Sequence, residues 1–156
     1  QAIANPIICG TPTLMFRRHV FEDIGGTWIS GIGNEMSDWA LVCKTLKKGW
    51  KIGAITESYV NVYINHGEKR MSDVGFYKDS AKRYTLFYNY FLTEYADVFQ
   101  TYPIAAVTHL KGLVNCYVVQ RKWKEAFKKW NKLVTIQPTI KNMSYLLYQT
   151  FKSIKK

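Results

Sequence analysis

The sequence predicts an α/β region over residues 1–67 followed by an α-helical region over residues 68–156, and three observations carry that division. WKIGAIT and YVNVYIN, within 50–65, place β-branched and aromatic residues at period two, the spacing of a half-buried strand. From about Asp73 onward the apolar residues fall three and four apart instead, the spacing of one helix face. Pro103 and Pro138 stand in the gaps between the helical stretches, where a missing N–H costs least.

In chain order, TLMFRRHVFEDIGG reads as a strand around Thr13 to Phe16 and then a short helix that Gly25 and Gly26 stop. TWISGIGNEM has no apolar period and carries Gly31 and Gly33, so it reads as a loop. A helix from about Asp38 to Lys48 follows, capped by Ser37 or Asp38 and ended by Gly49, with Leu41, Val42 and Leu46 as candidate core residues. The two period-two strands come next, with Glu57-Ser58 as their turn. The helical region divides into segments near 73–97, 104–119, 122–135 and 141–154. Within it Leu110, Leu113, Tyr117, Ala126, Trp130, Leu133 and Pro138 fall where a tetratricopeptide-like helical hairpin places its packing residues. A single copy cannot form a repeat array, so the expectation is one hairpin packed on its neighbours.

Net charge is +11, and its distribution is more informative than its size. Residues 1–110 hold eleven Lys/Arg against ten Asp/Glu, whereas residues 111–156 hold eleven against Glu125 alone. A tail of that kind attracts phosphate, on an anionic membrane leaflet or a nucleic acid, or else forms a solvated helix surface. The aromatic residues are spaced for a helical core rather than for base stacking, which argues against a specific nucleic-acid partner. No run of about 18 apolar residues is present, and the first residues lack a secretory pattern. Cys9, Cys43 and Cys116 are widely separated and odd in number, which suits reduced thiols of a cytoplasmic protein. The chain opens at Gln1 and enters an apolar stretch at once, as a piece of something longer would. GxSxG, HExxH and phosphate-loop motifs are missing, and His19, His66 and His109 form no local metal cluster.

One ordered set of motifs remains: Arg17-Arg18, Gly25-Gly26, a glycine loop, Ser37-Asp38-Trp39, Lys48-Gly49-Trp50 and His66. Over residues 8–67 this order and spacing resembles the C-terminal half of the catalytic domain of family 2 glycosyltransferases, enzymes of the GT-A fold. The resemblance implies transfer of a sugar from a nucleotide-diphosphate donor to a hydroxyl of a saccharide or lipid-linked acceptor, with inversion by single displacement. A bacterial cell-envelope pathway, at the cytoplasmic face of the membrane, fits such a reaction. The attacking hydroxyl must lose a proton, and Asp38 matches the carboxylate that removes it. Trp39 matches an acceptor platform, a flat face for sugar C–H groups, or else packs in the core. Asn34 and Glu35 fall in the acceptor loop, where Glu35 is a partial substitute for the family's acidic partner, replaced here by Ser37. His66 matches a ligand of the divalent metal or the diphosphate, or else a strand-end histidine satisfied by backbone. Lys69 and Arg70 stand where they can neutralise the leaving diphosphate, or are solvated loop charges. The family's Asp-x-Asp, which holds Mn or Mg, does not occur. The resemblance therefore implies an acceptor-side half at residues 1–67 with a helical extension at 68–156, the metal and nucleotide being held mostly by another half. The alternative is a non-enzymatic helical module that binds a protein or a polyanion.

Overall fold

The computed structural model describes residues 2–4, 14–26, 37–53, 57 and 78–154. Its helices are α1 Arg18–Asp23, α2 Ser37–Lys47, α3 Lys78–Glu94, α4 Ala96–Thr101, α5 Val107–Val119, α6 Trp123–Ile136, α7 Ile140–Met143 and α8 Tyr145–Ile154, with a 3-10 turn at Pro103–Ala106. Every regular element among the described residues is helical, which overturns the expected GT-A-like α/β region. Leu14 to Arg17 form no strand but lead into α1, and Trp50 to Gly53 are irregular. A strand exists only where a neighbour receives its backbone N–H and C=O groups, and no described segment offers that ladder. The remainder of the two period-two runs, 54–56 and 59–65, lies outside the described residues.

The helical body is built around α5, which packs against α3 on one side and α6 on the other. Its apolar period leaves Leu110, Leu113, Val114 and Cys116 fully buried. Against α6 it sets Leu113 and Tyr117 facing the fully buried Ala126, whose methyl group lets the two helices approach. Leu133 is also fully buried, and Trp130 covers the edge of the core while its indole donates to the Asn142 carbonyl at 2.9 Å. Pro138 lies in the break between α6 and α7, where Thr139 caps α7 by accepting from the Asn142 amide at 3.2 Å.

Gly112 sets the spacing of α3 and α5. A Cβ at that position would lie 2.3 Å from the Tyr88 ring, well inside contact distance. Around this crossing, Gln120 Nε2 donates to Thr85 Oγ1 at 2.8 Å and to the Ala81 carbonyl at 3.2 Å. The polar end of α5 is thereby tied to the first turns of α3.

Helix α2 belongs to the same core. Trp39, Ala40 and Cys43 pack with Phe87, Phe91 and Tyr95 of the helical body. Outside, the Lys47 ammonium donates to Glu94 Oε1 at 2.8 Å and to the Glu94 carbonyl at 2.7 Å, and lies 5.0 Å from the Tyr95 ring centre. Exposed pairs of this kind add little to stability, so the apolar contacts hold α2 in place. The buried thiols Cys43 and Cys116 are free, and burial pushes each up to about 12.

Three helices end by one device, in which the residue after the cap turns left-handed and two amides fold back onto the last turn. At α1, Gly25 (φ 71°) and Gly26 donate to the Glu22 and Phe21 carbonyls; at α2, Gly49 (φ 83°) and Trp50 donate to those of Leu46 and Thr45. At α5 the same bonds run from Arg121 and Lys122 to Val118 and Tyr117, but the left-handed residue is Arg121, with φ 59°. A Cβ in that conformation costs roughly 1 kcal/mol.

Two stability changes follow. Arg121→Gly should stabilise the chain by about 1 kcal/mol in urea unfolding, because it removes the Cβ strain while keeping both closing bonds. Gly112→Ala should destabilise by about 1–3 kcal/mol despite its better helix propensity, because the added methyl drives into Tyr88. Gly53→Ala, where a Cβ would meet nothing within 4 Å, is the control and should change little.

Candidate functional site

The sequence places Asp38 in the first turn of α2, and the structure leaves its side chain half-buried there. Oδ1 accepts the Trp39 amide at 2.8 Å, which satisfies one of the helix's unpaired N-terminal donors. A carboxylate at this end of a helix is favoured by the helix dipole as well as by that bond. The helix-start role is therefore real, and the side chain is not sealed from solvent.

Trp39 points the other way. Only 5% exposed, its indole donates to the Ala2 carbonyl at 2.6 Å and packs against Phe87 and Phe91, with ring centres 5.7 and 5.3 Å away. The core alternative describes its ring, and the face expected to receive a sugar is occupied by protein. Asn34, Glu35, His66, Lys69 and Arg70 lie outside the described residues.

The other motif residues turn out to be joints. Asp23, at the end of α1, accepts from the Trp50 indole at 2.9 Å and from the Lys48 ammonium at 3.4 Å, so the segment after α2 is fastened to α1. The Trp50 hydrogen bond, with help from Lys48, holds the Asp23 carboxyl below the usual range. His19 lies against Trp50 with ring centres 5.5 Å apart. Lys44 Nζ reaches the Gly26 carbonyl at 3.3 Å. Arg18 pairs with Glu22 one turn along α1, on the exposed surface. The Gly-Gly and Lys-Gly-Trp motifs, far apart in sequence, thus meet at one corner.

A histidine that the sequence weighs only as a metal ligand lies in the core of the helical body. His109, on α5, is fully buried against Trp39 and Phe91, its ring inclined by 20° to each at centre distances of 5.0 and 5.1 Å, and since those two rings are 5.3 Å apart the three form a triangular cluster. Its Nε2 meets the Ile3 carbonyl at 2.6 Å, and because a carbonyl can only accept, that nitrogen carries the proton. Nδ1 has no partner among the described residues and is the bare acceptor. Protonation would create a buried donor with nothing to receive it. Burial accordingly lowers the imidazole to about 4, against the smaller upward pull of the Ile3 bond. The signal was present in sequence: His109 shares a face with Leu113 and Cys116 at i+4 and i+7.

No group of three or more His, Cys, Asp or Glu side chains able to hold a metal occurs among the described residues. A hollow of about 540 Å³ is lined, among the described residues, by Ala4, Tyr102, Ile104, Val107, Thr108 and Gln137, and neither Asp38 nor Trp39 is among them. Among the described residues no helix is long and apolar enough to cross a membrane. Compared with protein-family models, curated proteins and solved structures, the chain matches none.

The His109 geometry fixes the sign of an acid response. Between the ordinary value near 6.5 and the folded value near 4, the unfolded chain binds the proton more readily. Stability is whole above pH 6.5 and declines as pH falls toward 4, by about 3 kcal/mol. Urea titrations across that window should show the loss in the native chain. The difference should shrink in His109→Phe, which keeps a ring in the stack but cannot titrate.

Proposed function

We propose that this chain supplies the acceptor side of a sugar-transferring enzyme, with Asp38 as the base that takes the proton from the attacking hydroxyl. One observation supports the reading: Asp38, the residue to which the glycosyltransferase resemblance gives the role of base, lies in the first turn of α2 and is only partly buried. Oδ1 is engaged by the Trp39 amide, and Oδ2 makes no hydrogen bond among the described residues, so a lone pair remains for an acceptor hydroxyl. The buried Trp39 supports the arrangement indirectly, since an indole locked in the core fixes the backbone from which Asp38 projects.

On this reading the acceptor is a saccharide or a lipid-linked hydroxyl and the donor a nucleotide-diphosphate sugar. Mn or Mg, with the nucleotide, would be held mainly by the nucleotide-binding half of the enzyme. His66, Lys69 and Arg70 are the candidates in this chain for the diphosphate and its metal. The reaction belongs on the cytoplasmic side, in envelope polysaccharide synthesis. The joint at Asp23, Lys48 and Trp50 holds α1 to the end of α2 and so steadies the helix that bears the base.

The test is Asp38→Asn in an enzyme that contains this chain together with its nucleotide-binding half. Sugar transfer should fall by about two to four orders of magnitude, the usual worth of a general base, while donor affinity by calorimetry stays within about twofold. Turnover close to that of the unmodified enzyme would reject Asp38 as the base.

A further inference from the structure

We propose that the outer face of α7 and α8 is a docking surface for an anionic lipid bilayer. Helix α8 is apolar on both sides. Inward, Tyr145 and Leu146 pack on the core and Gln149 is buried. Outward, Leu147, Tyr148 and Phe151 stand on one side of the helix and are 63%, 57% and 65% exposed. Just before them, Ile140 and Met143 of α7 are exposed as well. A water-facing helix side would ordinarily be polar, so five large apolar side chains over twelve residues mark a surface that something covers.

The charges around that face select the occupant. Lys141 follows Ile140, and Lys152 follows Phe151, so an ammonium adjoins each end of the apolar row. Lys141 also lies close enough to Lys111 for the two charges to repel, and Lys111 in turn lies 5.9 Å from the Tyr145 ring centre. Ion pairs among the described residues include Arg18–Glu22, Lys47–Glu94 and Lys48–Asp23, and none of these uses a lysine of residues 111–152. The exposed basic residues described in that span, Arg121, Lys122, Lys124, Lys128, Lys132, Lys141 and Lys152, thus face water with no ion-pair partner among the described residues.

A second copy of this chain would bring like charge against like charge. A nucleic acid would satisfy the lysines but leave Leu147 and Phe151 in water. An anionic bilayer answers both features: its headgroups receive the ammoniums, and its interfacial zone takes Leu147, Tyr148 and Phe151 as an amphipathic helix lying in the surface plane. The tyrosine, apolar in its body and polar at its tip, suits that boundary. This placement does not depend on the role given to Asp38.

Flotation of the 156-residue chain with phosphatidylcholine vesicles, with and without about 30 mol% phosphatidylglycerol, tests the inference. Binding should be at least about tenfold tighter to the anionic vesicles at about 150 mM salt. Leu147→Gln with Phe151→Gln should lower it about tenfold or more, with helical content and melting temperature unchanged. Lys141→Gln with Lys152→Gln should weaken it several-fold and flatten its salt dependence. Equal or negligible binding to both vesicle types would overturn the proposal, as would full binding by either double variant. A fall in melting temperature for the Leu147/Phe151 variant would show the face to be covered by the chain itself. Self-association abolished by the same change, or an oligonucleotide that binds through Leu147 and Phe151, would equally assign the surface to another partner.

Discussion

The three-ring cluster of Trp39, His109 and Phe91 is the constraint on which the rest of the arrangement depends. It joins four pieces of chain that sequence keeps apart: α2 supplies Trp39, α3 supplies Phe91, α5 supplies His109, and the turn at residues 2–4 supplies the carbonyls that receive the indole and imidazole N–H groups. Aromatic faces bury a large area, and the two hydrogen bonds fix direction where apolar contact alone would not. The arrangement works only while the imidazole is neutral, because its second nitrogen meets no partner among the described residues. A buried polar group gives the core a unique alignment and makes that alignment conditional on charge.

Around this centre, local rules suffice. Helices α1, α2 and α5 stop where a left-handed residue lets the chain fold back, and close approach of α3 and α5 is possible because position 112 has no side chain. Each is a backbone constraint that a short window of sequence can express. The elements most dependent on distant partners are those at which sequence reasoning and structure part company.

The helical region was legible because a helix satisfies its hydrogen bonds within itself, so its apolar period alone states which face is buried. The expected segments 104–119 and 122–135 correspond to α5 with its preceding 3-10 turn and to α6, and the expected hairpin residues Leu110, Leu113, Ala126 and Leu133 are fully buried. The stretch expected as one helix over 73–97 is described from Lys78 and breaks at Tyr95, where α4 begins. Gly25-Gly26 and Gly49 were legible as helix stops for the same local reason. The strands were not, because alternation in Trp50 to Gly53 says only that a residue can sit on a pleated surface, and the surface must come from elsewhere. At the candidate site, Asp38 at the start of a helix was readable from Ser-Asp-Trp, whereas the choice between platform and core for Trp39 depended on α3 and α5, more than forty residues onward. His109 was weighed only as a possible metal ligand, since a lone histidine on an apolar face gives no sign of the aromatic rings that distant helices bring against it.

The interior also holds its own reporters. Cys43 lies in the same cluster as Trp39, and Cys116 faces the α3 side of α5; both are closed to solvent and both are kept protonated by burial. A thiol in that state is a poor nucleophile, and alkylating reagents reach it only when the surrounding helices separate. The rate at which either sulfur is trapped is therefore a clock for opening of the bundle, and a difference between the two would tell whether α2 departs before α3 and α5 come apart.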